Sequence, residues 1–250
     1  MFINCNNVSF GYNGHAVISN ISFGINEGDY LCIAGENGSG KSTLLKGMAG
    51  LISPLRGTIE FAGARGTGYL PQQSAAKKDF PAGVYEIVLS GAAGGLGLRP
   101  FYSRAEKERA VENMRRLGIS GLKNRCFREL SGGQQRRVLI ARALCAAAEP
   151  RTGLPCGGRT QTTLPQLLIL DEPAAGLDPL VSVELYKLLA ALNGEGGMTV
   201  IMVSHDIQAA AQYAKHILHI EQGEYFFGST DEYVHSPFGK KFMNNGGNND

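Results

Sequence analysis

Three short stretches of this chain are apolar at nearly every position. They are Tyr30-Leu31-Cys32-Ile33-Ala34, Leu167-Leu168-Ile169-Leu170 and Thr199-Val200-Ile201-Met202-Val203. None shows the polar alternation of a half-wetted strand, so each reads as a strand buried on both faces, the situation of a parallel sheet. Residues 2–25 are also strand-like, with Val8-Ser9-Phe10 and 17–23 on either side of the turn pair Asn13-Gly14. After a break at Ser53-Pro54, residues 57–61 and 66–70 predict two more short strands, and 217–220 another. Between these lie helical patterns at 41–49, stopped by Gly50, and at 84–89. A further helix at 104–117 has the capping box Ser103/Glu106 and the stop Gly118. Another starts behind Ser131, and the turn Ala175 to Pro179 leads into a helix with Leu185, Leu188, Leu189 and Leu192 on one face, ending at Gly194. Strands and helices follow one another as in an α/β protein.

The bulk numbers narrow this picture. A chain of 250 residues with 43% hydrophobic content can form one large α/β domain or two small ones. With 24 basic and 22 acidic residues the net charge is only +2, too weak a field to argue for nucleic acid. No apolar run approaches the roughly 18 residues of a membrane span. The start Met1-Phe2-Ile3-Asn4 lacks a basic segment followed by an apolar one, so the chain is expected to stay in the cytoplasm. Cys5, Cys32, Cys126, Cys145 and Cys156 are scattered, without a C-x-x-C pair, and read as buried reduced thiols. Residues 91–97 form a Gly-rich elbow, 149–165 read as a surface loop inserted into the fold, and the polar tail 244–250 is expected to fray. His216 and His219 do not make a metal pair, because residues three apart on a strand face opposite sides.

Chemistry concentrates in a few places. Gly35-Glu36-Asn37-Gly38-Ser39-Gly40-Lys41-Ser42, followed by Thr43, matches the phosphate-binding P-loop and sits between a predicted strand and a predicted helix. Gly35, Gly38 and Gly40 let the backbone bring N–H groups close to an anion, and the helix N-terminus behind them adds its dipole. Lys41 reaches the β/γ-phosphates, and the Ser42 hydroxyl is a ligand for Mg²⁺. In Leu130-Ser131-Gly132-Gly133-Gln134 the ordinary reading is a capping box of Ser131 with Gln134. Two glycines at a helix start need a further reason, and a helix N-terminus pressed against a second phosphate supplies one. The run at 167–170 ends in Asp171-Glu172, at the strand end where ligands of open α/β sheets bind. That places Asp171 to hold Mg²⁺ beside Ser42 and Glu172 toward an attacking water. His205 follows the strand at 199–203 and so shares the same edge with Lys41 and Asp171. Tyr12 is either a turn aromatic or a ring that stacks on adenine. Pro71-Gln72-Gln73 carries no meaning alone.

Together these residues resemble the ATP-binding subunits of ABC transporters, over almost the whole chain and in family order. The resemblance implies one ABC domain over 1–250, built as a P-loop NTPase core with a mainly parallel sheet, an N-terminal antiparallel β subdomain and an inserted helical subdomain at about 74–148. It implies ATP and Mg²⁺, with Tyr12 stacking on adenine and Gln72 touching the metal and water while reporting nucleotide state to a membrane subunit. Ser131 and Gly133, with their neighbours Gly132 and Gln134, would close on ATP held by the P-loop of a second copy, and Asp178 would work across that seam. Glu172 would be the general base, and His205 would contact the γ-phosphate. Partners implied are a second copy, transmembrane permease subunits and, indirectly, an extracytoplasmic metal-binding protein, with no nucleic acid. The place implied is the cytoplasmic face of the membrane. The segment from Asp79-Phe80-Pro81 to Gly91 is similar to the subfamily importing zinc, manganese or iron(II), and Phe226-Phe227-Gly228-Ser229-Thr230 to its zinc branch. The insertion at 149–165 departs from the family. A soluble ABC ATPase acting on ribosomes or DNA, and an ABC ATPase for another cargo, are the alternative readings.

Overall fold

The structure is a computed structural model that describes residues 1–62, 66–72, 81–148, 166–194, 197–221 and 223–245. The inserted loop 149–165 with Cys156, the Asp79-Phe80 pair, Gln73 and residues 246–250 lie outside the described residues.

The three apolar runs form neighbouring strands. β3 (Tyr30–Gly35), β6 (Leu167–Asp171) and β7 (Thr199–Val203) are buried at every position. They belong to a six-stranded sheet of order β5-β6-β7-β3-β8-β9, with β5 at Thr67–Leu70, β8 at His216–Glu221 and β9 at Glu224–Ser229. The first five strands run parallel and β9 is antiparallel to β8. Burial at every position follows from two layers of cover. Tyr30, Cys32 and Ala34 of β3, Leu168 and Leu170 of β6, and Val200 and Met202 of β7 face one hydrophobic layer. Leu31, Ile33, Leu167, Ile169, Ile201 and Val203 face the other. With a side-chain period of two, a strand wetted on neither face must be apolar throughout.

One layer comes from helices α2 (Val84–Ser90), α3 (Arg104–Arg116), α4 (Gly132–Ala147) and α5 (Pro179–Gly194). The opposite layer comes from α1 (Lys41–Met48) and from a three-stranded antiparallel sheet of order β2-β1-β4. There β1 spans Ile3–Tyr12, β2 His15–Ile25 and β4 Arg56–Phe61. The β1–β2 hairpin closes through Asn13 and Gly14, both at positive φ (52° and 78°), as a two-residue turn matched to strand twist requires.

α1 lies against β1 so closely that a Cβ on Gly47 would meet the Phe10 ring at 2.3 Å. Phe10 is fully buried and has nowhere to go. Gly47→Ala is therefore expected to destabilise the fold by about 1–3 kcal/mol, although the same change in an open helix gains about 1 kcal/mol. A lowered urea midpoint at unchanged m-value is the result that checks it.

The capping boxes form as expected. Ser103 Oγ accepts from the Glu106 N–H at 3.2 Å, and the Glu106 carboxylate also takes Arg99 Nη2 at 2.7 Å. The Arg99 guanidinium is the main reason the Glu106 carboxyl is held down to about 2. Cys5, Cys32 and Cys145 are buried, and Cys126 is partly buried. Burial pushes Cys5 and Cys32 up to about 12, which leaves them unreactive. The Gly-rich elbow is a 3₁₀ turn at Gly91–Gly95, and a Cβ on Gly91 would fall 2.0 Å from the Arg142 carbonyl oxygen of α4.

The chain after β7 holds elements the periodicity did not predict: α6 (Ile207–Ala211), β9, α7 (Thr230–His235) and α8 (Pro237–Asn245). At five and six residues α6 and α7 are too short to show a period. Asn244 and Asn245, expected in a fraying tail, instead close α8. His216 and His219 do sit on a strand: His216 Nε2 is 3.4 Å from Asp29, while His219 Nδ1 meets the Tyr233 hydroxyl at 2.7 Å. Among the described residues no helix is long and apolar enough to cross a membrane.

Candidate functional site

Four neighbouring strands of the large sheet release their chemistry-bearing residues at one edge. In sheet order, β5 leads to Gln72, β6 ends in Asp171 and Glu172, β7 is followed by His205, and β3 runs into the loop 35–40. The parallel registers Asp171↔Val203 and Ile33↔Val203 bring the carboxyl ends of β6, β7 and β3 level. This is the edge at which open α/β sheets bind ligands.

The loop owes its path to three glycines at positive φ, Gly35, Gly38 (φ 82°) and Gly40. Gly35, at φ 136°, packs so tightly on β8 that a Cβ would lie 2.1 Å from the Ile220 carbonyl oxygen. Gly40, at φ 93°, is the N-cap of α1 and offers no side chain to its first N–H groups. By contrast α3, α4 and α7 each start on a serine whose hydroxyl accepts from the backbone. The uncapped N–H groups of α1 and its positive dipole end make an anion site. Asn37 and Gly38 are exposed on the loop, and Thr43 is buried in the first turn of α1. Lys41 is buried and curls back across the loop, its Nζ donating to the carbonyl oxygens of Gly35 (2.8 Å) and Glu36 (2.6 Å). Two of the three ammonium protons are thus committed and one is left for a ligand. Burial lowers the Lys41 pKa, opposed by Glu172, Asp171 and Glu36. The Ser39 hydroxyl is buried and has no hydrogen-bond partner among the described residues.

Ser42 Oγ donates to Asp171 Oδ1 at 3.2 Å, across the end of β7. Asp171 is almost fully buried, and burial raises its pKa against the opposing hydrogen bond from Ser42. Next to it the Glu172 carboxylate is gripped from both sides: Gln72 Nε2 donates to Oε2 at 2.9 Å, and His205 Nε2 lies 2.5 Å from Oε1. Glu172 is held at φ 50°, a left-handed conformation worth about 1–3 kcal/mol of strain for a residue with a Cβ. Its N–H donates to the Val203 carbonyl at 3.2 Å, and its own carbonyl accepts from the Ala175 N–H at 3.2 Å.

The remaining candidates stand apart from this cluster. Ser131 caps α4, accepting from the Gln134 N–H at 3.3 Å while Gln134 Oε1 accepts from the Ser131 N–H at 3.1 Å. Asp178 Oδ1 accepts from the Leu180 N–H at 2.9 Å, at the start of α5. Among the described residues no hydrogen bond ties Ser131, Gly132, Gly133, Gln134 or Asp178 to residues 35–43. Gly133 has a packing reason of its own, since a Cβ there would lie 2.6 Å from Val181 Cγ1 of α5. The Tyr12 ring is about half exposed, with Lys46 Nζ 3.5 Å from its hydroxyl.

A family model described as "ABC transporter" matches residues 18–149, more than half of the chain. The chain belongs to the ABC transporter family. The zinc uptake system ATP-binding protein ZurA of Listeria innocua serovar 6a is 36% identical over 93% of this chain and 88% of its own length. The manganese transport system ATP-binding protein MntB of Bacillus subtilis is 34% identical over 92% of this chain and 87% of its own. Among solved structures, cbiO1 from Clostridium perfringens, part of the ABC transporter complex cbiONQ, superposes with a TM-score of 0.74 at 27% identity, over 97% of this chain and 94% of that one.

Two supports of this ABC ATPase's site left little trace in the sequence. The first is a chain of hydroxyls: Tyr186 of α5 meets Ser204 Oγ at 3.1 Å, and Ser204 Oγ donates to the Asp206 carbonyl at 3.1 Å, bridging the turn that carries His205. A serine directly before the histidine hinted at such a turn, but nothing local announced the tyrosine. The second is Arg136 of α4, buried, whose Nη2 donates to the carbonyl oxygens of Glu172 (3.3 Å) and Ala175 (3.4 Å).

Proposed function

We propose that this ABC ATPase powers import of a divalent metal ion, zinc or manganese, from the cytoplasmic face of a membrane. It would work as a pair of identical chains docked on permease subunits that receive the ion from an extracytoplasmic binding protein. The whole chain then forms one ATP-binding domain, with a helical subdomain at about 74–148 and an insertion at about 149–165. The observation that carries the mechanism is the convergence of Lys41, the Ser42–Asp171 pair and the Gln72–Glu172–His205 clamp at one sheet edge. For the cargo, support comes from relatives named for zinc and for manganese, and from the segments around 79–91 and 226–230.

Phosphoryl transfer asks mainly for positioning and for charge aimed at the transferring group. The loop 35–40 and the uncapped start of α1 cradle the phosphates, and Lys41 turns its remaining proton to the β/γ-oxygens. Ser42 and Asp171 are adjacent hard oxygen donors, which suits Mg²⁺ because that ion takes one or two protein oxygens beside phosphate and water. Bound there, Mg²⁺ would neutralise charge developing on the phosphate oxygens. Glu172 uses one lone pair on each carboxylate oxygen for Gln72 and His205, which leaves capacity to take a proton from an attacking water. His205 then faces the γ-phosphate and Tyr12 the adenine. Ser131 and Gly133 lie at a helix N-terminus that their own P-loop does not use, and they complete the site of the second copy.

Uptake of radioactive zinc and manganese by cells lacking the gene tests the cargo. Loss of accumulation of either metal, restored by the wild-type gene and not by Glu172→Gln, is expected. Normal uptake of both metals alongside lost uptake of another nutrient overturns it.

A further inference from the structure

Arg136 is only 3% exposed, yet among the described residues its hydrogen bonds go to two carbonyl oxygens and its Nη1 has no hydrogen-bond partner. Burying a guanidinium against uncharged acceptors is a poor way to stabilise a core, where an apolar side chain of the same reach does better. The two acceptors are not arbitrary. Glu172 and Ala175 are the ends of one turn, closed by the Ala175 N–H on the Glu172 carbonyl, and Glu172 is the residue held in left-handed backbone. Arg136 grips both carbonyls with one nitrogen and so fixes the peptide plane that sets where the Glu172 side chain leaves the strand. The other end of the connection is as specific. Arg136 sits five residues after the Ser131 cap, about 7.5 Å along α4, so a tilt of that helix start carries the guanidinium with it.

We propose that Arg136 is a positioning residue through which the Ser131 end of α4 sets the pose of Glu172. The inference rests on the reading of Glu172 as the water-orienting base and of Ser131 as the contact to the second copy's ATP. When the cap closes on the partner-held phosphate, the same rigid helix seats the carboxylate; when it is withdrawn, the turn relaxes. Engagement of ATP by both chains is thereby linked to readiness for hydrolysis within each.

The test uses full-length Arg136→Met and Arg136→Lys, with equilibrium binding of a fluorescent ATP analogue, steady-state hydrolysis per folded molecule, and ATP-dependent dimerisation in a Glu172→Gln background. For Arg136→Met the expected result is ATP affinity within about threefold of wild type and unchanged KM. Its kcat should fall by about tenfold to a hundredfold. Dimerisation should persist. Arg136→Lys keeps the charge and a donor with three protons but on a stem one bond shorter, which holds the two carbonyls less closely; it should fall between wild type and Arg136→Met and decides the matter if the methionine variant does not fold. Wild-type kcat in a folded variant, or a loss of kcat matched by an equal loss of ATP affinity, overturns the proposal. Failure of the parent reading is distinct: it shows as wild-type hydrolysis in Glu172→Gln itself.

Discussion

Glu172→Gln is expected to lower ATP turnover by about 10²–10⁴-fold while leaving ATP affinity nearly intact. Glutamine has the same shape and keeps one oxygen to accept from Gln72 or His205, so the clamp loses one of its two bonds rather than collapsing. What disappears is the negative charge and the place where a water proton goes, a loss of about 3–5 kcal/mol in the transition state at 1.36 kcal/mol per tenfold. Residues 35–43 and the Ser42–Asp171 pair are untouched, so ATP still binds and stays bound. In Mg²⁺ and ATP the variant should therefore accumulate as a dimer by light scattering, where wild type passes through that state. Wild-type turnover, or a monomer under those conditions, would remove Glu172 from its assigned role.

Lys41→Met acts on the earlier step, with an expected loss of ATP affinity of about tenfold to a hundredfold, the effect of the one charge-assisted hydrogen bond its free proton can make, at about 1.5–3 kcal/mol. Methionine keeps a buried unbranched stem in place of the lysine's. The loop carbonyls of Gly35 and Glu36 lose their shared donor as well, and the loop is less ordered before nucleotide arrives. Because the lysine meets the nucleotide through its tail phosphates, AMP binding, measured alongside by calorimetry, should change by less than ATP binding. Equal loss for both nucleotides would mean that Lys41 shapes the pocket rather than contacting the β/γ-phosphates.

What the sequence made legible was local. Ser103 with Glu106 and Ser131 with Gln134 are caps within four residues, and each formed as spaced. The apolar runs at β3, β6 and β7 announced burial on both faces because period-two side chains leave no other reading. The phosphate loop was plain from glycine and lysine spacing. What stayed hidden depends on residues far apart in the chain: the placing of β7 between β6 and β3, the grip of Gln72 on a carboxylate 100 residues away, and Arg136 beneath the Glu172 turn. The left-handed φ of Glu172 was equally unreadable, since residue type disfavours it and only the surroundings impose it. Ser229 with Glu232 is the opposite case, a cap signal for α7 spaced in the sequence like the other two.

The strand order sets a timetable for synthesis. β1 and β2 can pair as soon as their hairpin leaves the ribosome, but both neighbours of β3 are encoded late, at Thr199–Val203 and His216–Glu221. At about 5–20 residues per second, the nascent chain carries β3, buried at every position once folded, without a partner on either side for roughly ten to thirty seconds. A chain cut short before β7 would hold the complete Gly35–Ser42 motif and no nucleotide pocket, and its bare strand would be a substrate for chaperones instead.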